Sequence, residues 1–300
     1  MTIALFPGQG VQSAGMGNGL IDSAPDVFGT ASDLLGVDIA ELCTQGRAGS
    51  ADLDSTRWAQ PAVAVCGIAA FRVLSDRGDS FEAAAGHSVG EYAALVVSGA
   101  LELSDALRLI TVRAEATDAA GRAVPGGMAA VMRIDRAAVD RICTQQRVAL
   151  AAENGPGQFV VSGPADRLKR AIEELAAAGA VSRRLDVSAP FHSPVMAPAA
   201  ERLTEALDDV SFSAPRFDVW SPTTAAPVRT PDEIRAVLID QLTSPVRWRE
   251  TIEGLAERHG TVFHDIGPGK VVAGLTRRIV KEAEIRTLED IFVRTSEGTE

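Results

Sequence analysis

Between residues 81 and 97 the chain reads as a short apolar strand, the pentapeptide Gly86-His87-Ser88-Val89-Gly90, and a helix from Glu91 to Val97. A strand that passes into a helix within five residues has few backbone solutions. The two glycines must admit close backbone packing, and the residue between them is pushed outward. Such a turn fits the C-terminal end of a strand in an open α/β sheet, where these sheets build their sites. Ser88 would then project at a helix N-terminus, with the N–H of Val89 aimed at any oxyanion formed there. A serine hydroxyl is a weak nucleophile until a base takes its proton, so another part of the chain must supply one. By itself the pentapeptide fits an ordinary glycine-rich turn equally well.

Composition narrows the alternatives. Three hundred residues with 46% hydrophobic and 23% charged content are enough for a substantial core. A net charge of −11 and a pI near 4.9 disfavour nonspecific binding to nucleic acid or to an anionic membrane. Cys43, Cys66 and Cys143 show no C-x-x-C spacing, so they read as buried thiols and no metal site is expected. The apolar run at the N-terminus stops at Pro7-Gly8, too early for a signal peptide, and the longest run, Pro61 to Phe71, is too short for a bilayer. A cytoplasmic protein is expected.

In chain order, Ile3 to Phe6 reads as a buried parallel strand, followed by the loop Pro7-Gly8-Gln9-Gly10-Val11-Gln12. Gln9 sits where a site would form, although water or backbone could equally satisfy it. Phosphate-loop glycine patterns are absent from this loop. Residues Asp26 to Arg47 and Trp58 to Arg77 have helical periodicity, with Asp54-Ser55-Thr56 as a cap between them. Ser104-Asp105 is expected to cap a helix over Ala106 to Ala120, on which Arg113 reads as a solvated arginine.

From Pro125 to Ser188 the pattern is β-α-β-β-α-β, the order of a split βαβ, ferredoxin-like unit, and strand–helix alternation resumes after it. Asn154-Gly155-Pro156-Gly157 makes its central turn, where turn chemistry alone would account for Asn154. Four histidines could serve Ser88. His87 is adjacent to the serine and diverges from it, His259 reads as a helix C-terminal residue, and His264 lies at a strand end beside Asp265. His192 lies in the proline-stiffened loop Ser188-Ala189-Pro190-Phe191-His192-Ser193-Pro194, which can aim it at another loop. The polar tail from Thr295 is expected to fray.

Taken in order, Phe6-Pro7-Gly8-Gln9-Gly10, Gly86-His87-Ser88-Val89-Gly90-Glu91, Arg113, Asn154-Gly155-Pro156-Gly157-Gln158, Phe191-His192-Ser193, Pro245-Val246 and Ile266-Gly267-Pro268-Gly269 resemble the malonyl-CoA:acyl-carrier-protein transacylase family of fatty-acid and polyketide synthesis. The resemblance implies an α/β fold: a hydrolase-like large subdomain with a parallel sheet (1–121 and 191–300) and an inserted ferredoxin-like small subdomain (122–190). It implies that Ser88 takes the acyl group from CoA with His192 as base. The N–H groups of Gln9 and Val89 would form the oxyanion hole, and a backbone carbonyl between Gln241 and Pro245 would orient the imidazole. It also implies that Arg113 grips the free carboxylate of a malonyl or 2-substituted malonyl group, that Phe191 favours malonyl, and that Asn154 contributes to substrate binding. Ala152 and Gly155 depart from the family's asparagine and serine in that motif. The acyl group would pass to the phosphopantetheine thiol of an acyl carrier protein, with no bound cofactor or metal and with the enzyme a monomer. A local basic patch of Arg183, Arg184, Arg277, Arg278 and Lys281 would meet the acidic carrier protein. The rival readings are an acyl hydrolase of the same fold and a non-catalytic subunit that docks carrier protein.

Overall fold

The computed structural model describes residues 1–293, so the tail from Thr295 lies outside the described residues. Strand β1 (Thr2–Phe6) leads through a long loop to helices α1 (Pro25–Leu35) and α2 (Ile39–Gln45). A small hairpin of β2 (Arg47–Ala48) and β3 (Ala51–Asp52) precedes α3 (Thr56–Asp76). Next come β4 (Ala83–Gly86), α4 (Gly90–Val97) and α5 (Leu103–Ala123). A second group follows: β5 (Gly126–Met132), α6 (Arg136–Gln146), β6 (Ala149–Gly155), β7 (Gln158–Pro164), α7 (Ala165–Ala177) and β8 (Val181–Arg184). After a 3₁₀ turn at Pro194–Met196 the chain adds α8 (Ala197–Leu207), β9 (Asp218–Ser221), β10 (Ala226–Val228) and α9 (Pro231–Gln241). It ends with α10 (Trp248–His259), β11 (Val262–Asp265), α11 (Val271–Ile279), β12 (Glu284–Thr287) and α12 (Leu288–Val293).

The fold is mixed α/β around a largely parallel six-stranded sheet in the order β10-β9-β4-β1-β11-β12, with only β10 antiparallel to its neighbour. Its central strands read Thr-Ile-Ala-Leu-Phe and Ala-Ala-Ala-Gly, almost wholly buried because helices cover both faces. Phe6 pairs with Gly86 at their C-terminal ends. The loop carrying Gln9 and the turn carrying Ser88 therefore leave the sheet side by side.

A separate four-stranded antiparallel sheet has the order β6-β7-β5-β8. Alternation along its strands divides the side chains between two cores. Met128, Ala152 and Val160 join the main core, whereas Ala129, Val131, Phe159 and Val161 pack with Val139, Ile142, Leu168 and Leu175 of α6 and α7. The sheet is thus apolar on both faces. Backbone bonds between Val246 and the strand residues Ala151 and Glu153 tie it to the rest of the molecule. Glu153 reinforces the joint by pairing with Arg136 at 2.5 Å and Arg249 at 2.7 Å.

Several local expectations are corrected. Helix α5 begins at Leu103 with Glu102 at its N-cap, so Ser104 and Asp105 lie in its first turn. Asp105 there complements the helix dipole and pairs with Arg108. Asn154 and Gly155 end strand β6, and the turn is confined to Pro156-Gly157, where Gly157 takes a φ of 65°. Strand β8 stops at Arg184, short of Val187. Ser55 precedes α3 without donating or accepting a side-chain cap bond to it. The apolar run around Pro61 to Phe71 belongs to this 21-residue helix, which by length and composition could cross a membrane, but 78% of its apolar window is buried inside the protein. The three cysteines are buried as expected.

The turn after β4 has no room for a side chain. A Cβ on Gly86 would lie 1.9 Å from the carbonyl carbon of Gly90, and one on Gly90 would lie 2.5 Å from the carbonyl oxygen of Phe6. Gly86→Ala is expected to cost about 3 kcal/mol or more, because the obstacle is backbone. Urea unfolding checks this, and a loss below about 1 kcal/mol would contradict the packing described.

Candidate active site

The strained turn raises Ser88 into a left-handed conformation, φ 53°, which non-glycine residues seldom adopt. His192 is also left-handed, with φ 54°, in the loop between β8 and the 3₁₀ turn. These two residues meet: Ser88 Oγ lies 2.9 Å from His192 Nε2. The other ring nitrogen faces the carbonyl oxygens of Gln241 at 2.9 Å and Ser244 at 3.1 Å. Carbonyls only accept, so Nδ1 carries the proton and Nε2 offers a lone pair to the serine O–H. The group orienting the imidazole is backbone, within the stretch anticipated for it.

Arg113 is 2% exposed, which overturns its reading as a solvated helical residue. Its Nη1 donates to Gln60 Oε1 at 2.5 Å, and its Nη2 donates to Ser88 Oγ at 2.8 Å and Gln241 Oε1 at 3.0 Å. Helices α3, α5 and α9 therefore converge on the serine. Gln241 also donates through Nε2 to Glu91 Oε2 at 2.5 Å and to the Ser88 carbonyl at 3.2 Å. Among the described residues, Arg113 Nε and Gln60 Nε2 are buried donors without partners.

Gln9 is held by donation from Nε2 to Thr56 Oγ1 at 3.1 Å, and Thr56 in turn shares a 2.8 Å hydrogen bond with Ser188. A side chain, not water or backbone, fixes it. Val89 is fully buried as a residue and is not among the residues lining the cleft between the two sheets. Asn154 accepts from His87 Nε2 at 2.9 Å, a role beyond turn chemistry, and His87 leans on Trp248 with ring centroids 5.2 Å apart. His259 pairs with Asp218 and His264 packs edge-on against Phe81, so neither serves Ser88.

Ser88, His192, Arg113, Gln9, Asn154 and Phe191 all border one cleft of about 540 Å³ between the two sheets. Arg183 and Arg184 of β8 and Val271, Val272 and Leu275 of α11 complete its walls. Among the described residues no cluster of three or more metal-ligating side chains occurs. Reasoning from sequence alone missed Gln60, Glu91 and the side chain of Gln241. The available signal was weak: each is a polar residue on the largely apolar buried face of its helix.

Electrostatics keep the site poised. Burial, aided by the charge of Arg113, pushes the His192 pKa down to about 3 against the pull of its two carbonyl partners. Burial likewise lowers that of His87. The carboxyl of Glu91 moves the other way, up to about 7, because burial outweighs Ser221, Gln241 and Arg113.

The acyl transferase domain profile matches residues 4–293. A malonyl CoA-acyl carrier protein transacylase from Haemophilus influenzae is 36% identical over 297 residues, covering 96% of this chain and 95% of that protein. The malonyl CoA-acyl carrier protein transacylase of Coxiella burnetii superposes with a TM-score of 0.92 at 34% identity, covering 100% and 98% of the two chains. A malonyl-transacylase solved in complex with a type II PKS acyl-carrier protein gives 0.89 at 35% identity, covering 95% of each.

His192 should remain neutral from about pH 8 to about pH 5, with its proton on Nδ1, as read by nitrogen chemical shifts of the ring. A protonation step near pH 6.5 would contradict the burial argument. Between its ordinary value of 6.5 and about 3, the unfolded chain binds a proton that folded His192 refuses, so this contribution is lost as pH falls through that window.

Proposed function

The chain belongs to the acyl transferase family, and on that footing we propose that it moves a malonyl, or closely related dicarboxylic acyl, group from CoA to the phosphopantetheine thiol of an acyl carrier protein. The observation that carries this reading is the contact of Arg113 with Ser88 Oγ: a buried cation touches the nucleophile itself. An acyl group on that oxygen would hold a terminal carboxylate within reach of the guanidinium fork, whose planar donors suit it.

Ser88 Oγ attacks the thioester carbonyl while its proton passes to His192 Nε2. The C–S bond breaks, the departing CoA sulfur takes that proton, and a malonyl ester remains on Ser88. The carrier thiol then gives its proton to His192 and attacks the ester, and His192 returns the proton to Ser88 Oγ as the C–O bond breaks. N–H groups of Gln9 and Val89 hold the oxyanion in both halves. The neutral imidazole is fixed by backbone carbonyls, so no acidic partner is required, and a thiolate leaving group needs little assistance. Besides burial, the charge of Arg113 depresses the basicity of His192. A substrate carboxylate beside Arg113 offsets that charge and strengthens the base, which favours dicarboxylic over monocarboxylic acyl groups. The same cation disfavours an acyl hydrolase for simple fatty chains, since an apolar tail would leave it buried without an anion.

The reading also assigns a hydrolase-like large subdomain to 1–121 and 191–300 and a ferredoxin-like small one to 122–190, with the acyl group between them. Phe191 would limit room for a 2-methyl branch, a discrimination of about 1–3 kcal/mol, and Asn154 would act on the pantetheine side of the cleft. The carrier protein would approach past Arg183 and Arg184 at the cleft wall. The chemistry needs no metal or bound organic cofactor, and it suits a cytoplasmic monomer.

Incubation with malonyl-CoA should add one malonyl mass, and Ser88→Ala should abolish the adduct. Absence of an adduct from any acyl-CoA would overturn the enzyme reading. Arg113→Ala should lower malonyl loading about 50-fold more than acetyl loading, as expected for loss of a charge-assisted bidentate contact. Reversing Arg183 and Arg184 to Glu should raise the KM for carrier protein, and an unchanged KM would rule out this approach.

A further inference from the structure

Arg113 is held by three neutral acceptors, and among the described residues no carboxylate is hydrogen-bonded to it directly. The carboxylate linked to it is that of Glu91, and the link runs through one side chain. The Gln241 carboxamide turns its oxygen to Arg113 and its nitrogen to Glu91. Glu91 and Gln241 are essentially unexposed, on helices α4 and α9. Charges on either side fix the amide's orientation, since a flip would set NH₂ against the guanidinium and oxygen against the carboxylate.

An ion pair in direct contact would occupy the guanidinium with its own carboxylate, and a second anion would have to displace it. A buried guanidinium with no anion nearby would be costly to desolvate. One intervening amide is the compromise between these. We propose that Glu91 and Gln241 are specificity-determining positioning residues: Glu91 is the resident counter-charge of Arg113, and the Gln241 carboxamide is a spacer that keeps the guanidinium available for the carboxylate of an incoming acyl group. This inference rests on the dicarboxylic-acyl reading above.

A consequence is that the charge on Glu91 tunes acyl choice. Burial raises the Glu91 carboxyl to about 7, so its charge changes in the neutral range, whereas His192 stays neutral there. The groups around Glu91 leave Arg113 as its principal charged neighbour. Strands β1 and β4 carry no titratable residue. Asp218 of β9 is bound to Arg258 and His259 at the opposite end of that strand from Ser221. From α3, Gln60 is neutral, Arg57 and Arg72 pair at the surface with Glu115 and Asp26, Asp76 is exposed, and the contact with Cys43, together with burial, raises the Cys66 thiol so that it stays protonated. The phenol of Tyr92 on α4 is raised by burial and stays neutral.

The experiment is single-turnover loading of Ser88 from malonyl-CoA and, separately, acetyl-CoA, followed by intact mass, with unfolding midpoints measured in parallel. Glu91→Gln keeps an acceptor for Gln241 but removes the charge. It should raise the malonyl-to-acetyl ratio about threefold at about pH 8. Wild type should show the same rise as pH falls from about 8 to about 6, and the variant should not. Gln241→Glu sets a carboxylate against Arg113 and should lower the ratio about tenfold. Parallel losses for both acyl groups, with the ratio unchanged in both variants, would reduce the pair to structural roles and overturn the proposal. If Gln241→Glu does not fold, Glu91→Gln and the wild-type pH dependence decide. Arg113→Ala separates the two levels: a ratio unchanged by that variant refutes the carboxylate reading itself, whereas a collapse there with no response to Glu91→Gln refutes only the counter-charge.

Discussion

A buried guanidinium organises the centre of this molecule. Arg113 draws Gln60 from α3, Ser88 from the turn after β4, and Gln241 from α9 into one set of hydrogen bonds. Removing a cation from water is costly unless its donors are satisfied, so these elements must be in register for the charge to be tolerated. The same cation is hydrogen-bonded to Ser88 Oγ and, among the described residues, directly to no carboxylate; on the proposed reading it would favour an acyl group that brings its own.

The serine and histidine depend on backbone as much as on side chains. Ser88 is aimed by a turn whose glycines are in contact with neighbouring main chain, and His192 is held with its proton on Nδ1 by two carbonyls. Both residues occupy left-handed conformations in which a side chain is strained. Such strain persists only where the surroundings over-determine it, here the C-terminal ends of the central strands on one side and the loop after α9 on the other. Burial then keeps the imidazole neutral, and hence able to accept a proton, across the physiological range.

The second sheet contributes a wall and an anchor. Its strands are apolar on both faces because one face covers α6 and α7 while the other closes over the main core. Asn154 at the end of β6 reaches across to His87, next to Ser88. The triad of Arg136, Glu153 and Arg249 and the strand-like bonds of Val246 lock that wall in place, so the cleft between the two sheets has defined sides.

Much of this was legible in the sequence. The glycine spacing around Ser88, the β-α-β-β-α-β order after Pro125, and the placement of His192 in a proline-stiffened loop are local matters of turn chemistry and hydrophobic period, and these survive without a fold. Helix ends were less secure: α5 starts upstream of its expected cap, because Glu102 in extended conformation ends the turn before Ser104 is reached. The polar cluster was not legible. Gln60, Glu91, Arg113 and Gln241 each look, in one dimension, like an isolated polar residue on a helix, and the bond between Gln241 and Glu91 joins positions 150 residues apart. Whether such a residue faces water or another polar group depends on which helices the sheet brings together. Sequence periodicity specified the elements and the nucleophile's turn; the partners of the buried charge were decided by tertiary packing, because electrostatic satisfaction in a low-dielectric interior is a property of neighbours in space.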